Sequence, residues 1–179
     1  MRKDTYAFRF EYEHYEDGLK LVIENATDDY LRAFEYHPDT TELVVSGDWV
    51  DHLTLPDGIA MAYVEGLALK TLDVPESVTF LHCPKNCLRT LELPAGIQTV
   101  HAYKNKLRSI TFRAPPTALA CLDIRQNRMA GLEFAVPPTL EYIDVHESGL
   151  KWPTIGPCIT QYLLHYPGEL GSSLHDIDE

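Results

Sequence analysis

Between Val78 and Leu88 the chain sets apolar side chains at Val78, Leu81, Cys83 and Leu88 and an asparagine at 86, and moving the window nineteen residues either way finds the same pattern. Downstream it returns as Ile97, Val100, Ala102, Asn105, Leu107 and again as Leu119, Leu122, Ile124, Asn127, Met129. A further copy, Leu140, Ile143, Val145, Leu150, carries Ser148 in the asparagine slot, and a degenerate one runs through Ile159, Tyr162 and Leu164. Upstream, Ile59, Ala62, Val64, Leu69 has Leu67 in the slot, and Leu43, Val45, Val50 has Asp48 there. The first residue of each central apolar-x-apolar triplet marks the phase at 43, 62, 81, 100, 122, 143 and 162, in steps of 19, 19, 19, 22, 21 and 19. A chain with this period folds as a coil in which each turn buries its apolar row against its neighbours.

Each turn has two halves. The triplet reads as a short strand with one face inward, and the asparagine amide serves backbone groups where the chain leaves that strand. A second apolar triplet follows, ending near a proline: Leu53, Leu55, Pro56; Leu72, Val74, Pro75; Leu91, Leu93, Pro94; Ile110, Phe112, Pro115; Leu132, Phe134, Pro137; and weakly Ile155, Pro157. So short a turn has no room for a full helix on its outer side, which is expected to be extended. The extra residues of the longer steps fall at Pro115-Pro116 and Pro137-Pro138, in the loop returning to the inner strand. The expected fold is therefore mainly β, a solenoid of about six to seven short turns with a parallel inner sheet and an extended convex side.

Before the repeats, Tyr6, Phe8, Phe10 and Tyr12 alternate with Ala7, Arg9, Glu11 and Glu13, Asp17-Gly18 signals a turn, and Leu19, Leu21, Ile23 resume the alternation. Residues 5–24 read as a β-hairpin that caps the open end and free edge of the coil. Thr27-Asp28-Asp29 marks a helix start, Tyr30, Leu31 and Phe34 supply its apolar stripe, and Pro38 is expected to end it. Leu19 to Leu43 spans 24 residues, so the second hairpin strand and this helix are expected to form a first, longer repeat turn. The chain divides into an N-terminal capping hairpin and helix over 1–39, a solenoid over 40–166, and an acidic tail over 167–179, within one structural domain.

Written from its proline, the unit is Pro-x-x-φ-x-x-φ-x-φ-x-x-Asn-x-φ, where φ is apolar, and Pro94, Ile97, Val100, Ala102, Asn105 and Leu107 match it throughout. In that form it resembles the short bacterial leucine-rich repeats of type III secreted effectors, including those whose repeats precede a ubiquitin-ligase domain. The resemblance covers residues 40–166 and implies a leucine-rich-repeat interaction module, in the bacterial cytoplasm or, for a secreted effector, in a host cell. The repeats here are shorter than that family's, and residues 167–179 are too few for a ligase domain, so no ligase activity is carried over.

Composition narrows the function classes. A formal net charge of −12 and a pI near 5.0 argue against general nucleic-acid binding, which needs a basic surface. No apolar run approaches the roughly 20 residues needed to span a bilayer, and the first residues lack the apolar core of a cleaved secretory signal. The cysteines, Cys83, Cys87, Cys121 and Cys158, show no metal-binding spacing and are expected to be free thiols in a reducing compartment.

In a parallel coil, equivalent residues stack about 4.8 Å apart and form columns. The outward position within the triplet gives Val44, Tyr63, His82, His101, Asp123, Asp144 and Leu163, and the next gives Ser46, Glu65, Pro84, Tyr103, Arg125, His146 and His165. With Tyr142, these make an aromatic, hydrogen-bonding strip suited to recognition. Charge adds a second signal. Residues 85–128 hold eight basic residues (Lys85, Arg89, Lys104, Lys106, Arg108, Arg113, Arg125, Arg128) against two acidic ones, a local charge of +6, whereas residues 1–50 carry −7. Lys85 is expected to stack on Lys104, and Lys106 on Arg128, as a basic ridge along one rim.

The sequence thus reads as a non-enzymatic protein-binding module with no cofactor. Its partner, which includes an acidic surface, meets Tyr63, His82, His101, Tyr103, Asp123, Arg125, Tyr142, Asp144 and His146 on the sheet and Lys85, Lys104, Lys106 and Arg128 on the rim. Two alternatives stay open: a metal-dependent or histidine-based enzyme at His82, His101 and Asp123, and a structural protein whose repeat edges pair into assemblies.

Overall fold

The computed structural model describes residues 7–130 and 137–150. The seventh copy at Ile159, Tyr162 and Leu164, the triplet at Leu132 and Phe134, His165 and the acidic tail lie outside the described residues.

The chain opens with an antiparallel hairpin, β1 (Arg9–Tyr15) and β2 (Gly18–Ala26), in register from Arg9 opposite Glu24 to Tyr15 opposite Gly18. A six-residue helix, α1 (Asp28–Ala33), follows, and then β3 (Thr40–Gly47). From there outer and inner strands alternate: β4 (His52–Thr54), β5 (Met61–Tyr63), β6 (Thr71–Asp73), β7 (Phe80–His82), β8 (Thr90–Leu93), β9 (Thr99–His101), β10 (Ser109–Phe112), β11 (Cys121–Asp123) and, on the inner side again, β12 (Tyr142–Asp144). The inner strands form one eight-stranded sheet in the order β1-β2-β3-β5-β7-β9-β11-β12, parallel from β2 onward, and the outer strands pair as β4-β6 and β8-β10. The protein is a mainly β solenoid of about six turns with little helix.

The register is the one the repeat period dictates. Leu21, Leu43, Ala62, Leu81, Val100, Leu122 and Ile143 lie side by side in one column, at most 6% exposed. Because strand side chains alternate, burying the middle residue of each three-residue inner strand turns its two neighbours outward. Leu53, Leu72, Leu91 and Ile110 supply the facing column from the outer strands, so each turn is two apolar rows closed on each other. The prolines shape the return: the carbonyls of Pro56, Pro75, Pro94 and Pro137 accept from the N–H three residues on, at Ile59, Val78, Ile97 and Leu140. Each is a reverse turn that aims the next core residue inward.

The column includes Leu21, so the parallel winding starts with β2, one turn ahead of residue 40, and the β2–α1 segment is that first, longer turn. Gly47, at the end of β3, sits against the Ala26 backbone at the end of β2. A Cβ there would stand 2.5 Å from the Ala26 carbonyl oxygen. Helix α1 begins at Asp28 as expected but stops at Ala33 rather than near Pro38, because Phe34 takes extended backbone and joins an aromatic cluster, edge-on to Phe10 and Tyr36 at 5.1 Å each. Asp28 faces away from its own helix, accepting from the Asp51 and His52 amides at 3.0 and 3.3 Å, and so ties α1 to the β4 turn.

The slot asparagines form a buried ladder. Asn86, Asn105 and Asn127 each accept, through Oδ1, from the N–H of the preceding turn: Leu69 at 3.1 Å, Leu88 at 3.1 Å and Leu107 at 2.9 Å. Their amide nitrogens donate to Val64, Cys83 and Ala102 of the preceding turn and to Cys83, Ala102 and Ile124 of their own. Where the slot is not asparagine, the backbone substitutes. The Val50 N–H donates to the carbonyl of Leu67, and that of Met129 to the carbonyl of Ser148. Turning that carbonyl inward drives the following residue into left-handed backbone: Ala68 has φ +66° and Gly149 φ +85°, while Cys87, Lys106 and Arg128 keep negative φ. The side chain in the slot thus decides which way one peptide faces.

Candidate functional site

The outward column is realised residue by residue. Val44, Tyr63, His82, His101, Asp123 and Asp144 are register partners on consecutive strands. The next column also forms, through backbone bonds from Gly66 to Pro84, Lys85 to Tyr103, Lys104 to Arg125 and Gln126 to His146. Of the sheet residues read from the sequence, Tyr63, His82, His101, Tyr103, Arg125, Asp144 and His146 are half-buried and Tyr142 is exposed, but Asp123 is buried. Its carboxylate turns back to accept from the Arg125 N–H at 3.3 Å, with the guanidinium 3.5 Å away.

Stacking has merged the aromatic side chains into one layer. Phe80 lies 5.2 Å from Tyr63 and 5.7 Å from His101, His82 lies 5.5 Å from His101 and 6.3 Å from Tyr103, and the Arg125 guanidinium sits 4.7 Å above the Tyr103 ring. Such edge and cation contacts hold the side chains in place before any partner arrives.

The two histidines are wired end to end. His82 Nε2 faces the Glu65 carboxylate at 3.2 Å, its Nδ1 faces His101 Nδ1 at 3.3 Å, and His101 Nε2 lies 3.6 Å from the Cys121 sulfur. Facing Nδ1 atoms share a single proton between them, so the pair does not carry two charges in this arrangement. Burial, and then the neighbouring His82, push the His101 pKa below its usual value, with Asp123 opposing. Burial raises Cys121, and it raises Asp123 against the pull of the Arg125 N–H. A hydrogen bond from Lys85, then one with His82, lowers Glu65. Among the described residues no group of three or more His, Cys, Asp or Glu side chains is arranged to hold a metal ion, since these side chains face one another rather than a common point.

The ridge forms, and its charges divide into two sets. Lys85 is bound to Glu65 at 2.6 Å, Arg125 lies 3.5 Å from both Asp123 and Asp144, and Arg113 is held by Glu76 at 2.8 Å and the Val74 carbonyl at 2.6 Å. Arg89, Lys104, Lys106, Arg108 and Arg128 are exposed and belong to no ion pair among the described residues. Lys106 and Arg128 stack in one column with Cys87, and Arg89 and Arg108 stack beside them.

Sequence reasoning missed Trp49. It is 81% exposed, with left-handed backbone at φ +66°, and it occupies the same turn position as Ala68, Cys87, Lys106 and Arg128. A tryptophan at a position that elsewhere holds small or charged residues was the available signal. No helix among the described residues is long and apolar enough to cross a membrane. Comparison of the chain with protein-family models, curated proteins and solved structures gave no match.

Proposed function

We propose that this chain is a non-enzymatic, protein-binding leucine-rich-repeat module of the short bacterial kind, recognising its partner through the inner sheet and the basic rim and acting by occupying its target. The observation that carries the reading is the pre-packed aromatic layer of Tyr63, Phe80, His82, His101 and Tyr103 on the open side of a rigid parallel sheet. Aromatic and arginine side chains already fixed by their neighbours lose little freedom on binding, which is what recognition hot spots need. The repeat class is supported by the asparagine ladder and the nineteen-residue period. The cytoplasm, bacterial or host, is the compartment this reading implies for the free thiols.

The test is affinity capture with the wild type and with the His82→Ala/Tyr103→Ala/Arg125→Ala triple variant. The variant is expected to lose a partner that the wild type retains while melting within a few degrees of it, because none of the three is in the core. Retention of that partner by a well-folded triple variant would remove the sheet face from the account.

A further inference from the structure

We infer that the turn-side rim, running from Trp49 to Arg128, is a docking strip for an extended acidic polypeptide segment that carries an apolar residue toward one end. The inference rests on the reading of the chain as an interaction module and specifies partner chemistry for its rim.

Two independent observations meet there. The first is the set of exposed cations without carboxylate partners among the described residues, Arg89, Lys104, Lys106, Arg108 and Arg128, spread over three consecutive turns. They are bounded by cations already neutralised: Lys70 is held by Asp51 at 2.6 Å on one side, and Lys85 by Glu65 on the other. In a protein with twelve excess negative charges, none of these five is paired with an acid among the described residues. The second is Trp49, four turns from Arg128 in the same column. The largest side chain of the alphabet is displayed to solvent on a backbone conformation that a bulky residue adopts only at a cost. Ala68 and Cys87, small side chains along which a strand can lie, fill the column between Trp49 and Lys106, and the Lys106 amine rests 3.3 Å from the Cys87 sulfur.

The dimensions select the occupant. Four turn spacings of about 4.8 Å make a strip of roughly 19 Å, the length of about six extended residues. Such a segment seats an apolar side chain on Trp49 and its carboxylates against Lys106, Arg128 and the Arg89–Arg108 row. A membrane or a nucleic-acid duplex is disfavoured, because each brings a broad anionic surface within the ~8 Å screening length of the acidic N-terminal region, whereas a single strand touches only the rim. Single-stranded RNA needs a stacking platform for successive bases, and the strip offers one exposed ring, Trp49, at its end away from the cations, while Tyr103 already has the Arg125 guanidinium over its ring.

The experiment titrates the full-length Trp152→Phe protein, which leaves Trp49 as its sole tryptophan, with two octapeptides rich in glutamate, one with leucine near the N-terminus and one with it near the C-terminus. Glutamine versions serve as controls. One acidic peptide is expected to bind with a change in tryptophan emission, to weaken as salt rises, and to lose roughly tenfold in affinity in Lys106→Glu/Arg128→Glu. Trp49→Gly is expected to weaken binding with an unchanged or raised melting midpoint, since glycine accepts the left-handed backbone. Arg9→Glu/Arg32→Glu, the same charge change on the hairpin side, is expected to have little effect. The inference is overturned if neither acidic peptide binds, if the glutamine versions bind as well, if both double reversals act alike, or if anionic vesicles or single-stranded RNA bind where the peptides do not. If neither acidic peptide binds the protein while the sheet-face triple variant still loses the partner that the wild type retains, the rim inference alone is overturned.

Discussion

Replacing Asn105 tests the peptide-flip logic of the turns. In the native turn its Oδ1 accepts from the buried Leu88 N–H, and its Nδ2 donates to Cys83 and Ala102, both at 3.0 Å. Asn105→Ala orphans the Leu88 N–H outright, at about 1–3 kcal/mol. The two carbonyls suffer less, because Cys83 still receives the Asn86 amide and Ala102 the Asn127 amide. The total is about 2–4 kcal/mol in urea unfolding. Asn105→Leu is different in kind, because Leu67 already occupies that slot elsewhere and its own carbonyl takes over the acceptor role. The same rearrangement at 105 forces Lys106 into left-handed backbone, which costs roughly 1–2 kcal/mol for a residue with a Cβ. Lys106→Gly added to Asn105→Leu is therefore expected to recover about 1 kcal/mol, whereas Lys106→Gly alone, in a turn with negative φ, should not stabilise. An Asn105→Ala variant within 0.5 kcal/mol of wild type, as for ordinary surface changes, or a double variant no better than Asn105→Leu, would refute the reasoning.

Four further outcomes follow from the packing and the titrating groups. Leu81→Ala or Leu122→Ala, each removing a fully buried column residue, is expected to cost about 2–5 kcal/mol by chemical denaturation; a cost under 1 kcal/mol would mean that the column is not packed. Gly47→Ala drives a Cβ against the Ala26 backbone and is expected to cost about 1–3 kcal/mol or more, seen as a lowered urea midpoint. Burial raises the Cys83 thiol to about 12 from an ordinary 9.0, so the unfolded chain releases that proton first, and the stabilisation present below pH 9 falls as pH rises toward 12 by roughly 1.4 kcal/mol per unit; Cys83→Ala should flatten that alkaline slope, and an unchanged slope would contradict the burial. For His101, held below its usual value, the unfolded chain takes the proton first, so its contribution is full above pH 6.5 and lost as pH falls below it; an NMR ring titration is expected to give a midpoint under 6.5, and one at or above that value contradicts the shared-proton pair.

The winding and its columns were legible because one short-range rule, an apolar row every nineteen residues or so, fixes both the period and the face. His82, His101 and Tyr103 were placed by arithmetic alone. What sequence could not supply was anything set by a neighbour in space. Asp123 falls in an outward position and reads as exposed, yet a local bond to the Arg125 N–H folds its carboxylate inward. Lys85 and Arg113 read as free members of a ridge, but Glu65 and Glu76 reach them from other turns. Trp49 was passed over because its significance lies in backbone conformation and exposure, not in the apolar pattern. The first turn was legible in outline, because the second hairpin strand and the helix together make one longer repeat turn, but its register was not: the step runs 22 residues from Leu21 to Leu43 rather than 24 from Leu19.

The lateral placement of residues nineteen or so apart is what every functional inference here depends on. Backbone nuclear Overhauser effects in the uniformly labelled protein measure it directly. The account predicts interstrand contacts linking Ala62 to Leu81, Leu81 to Val100 and Val100 to Leu122, together with ring contacts between His82 and His101. A spectrum in which those residues show only sequential and helical contacts, with the two histidine rings far apart, would contradict it.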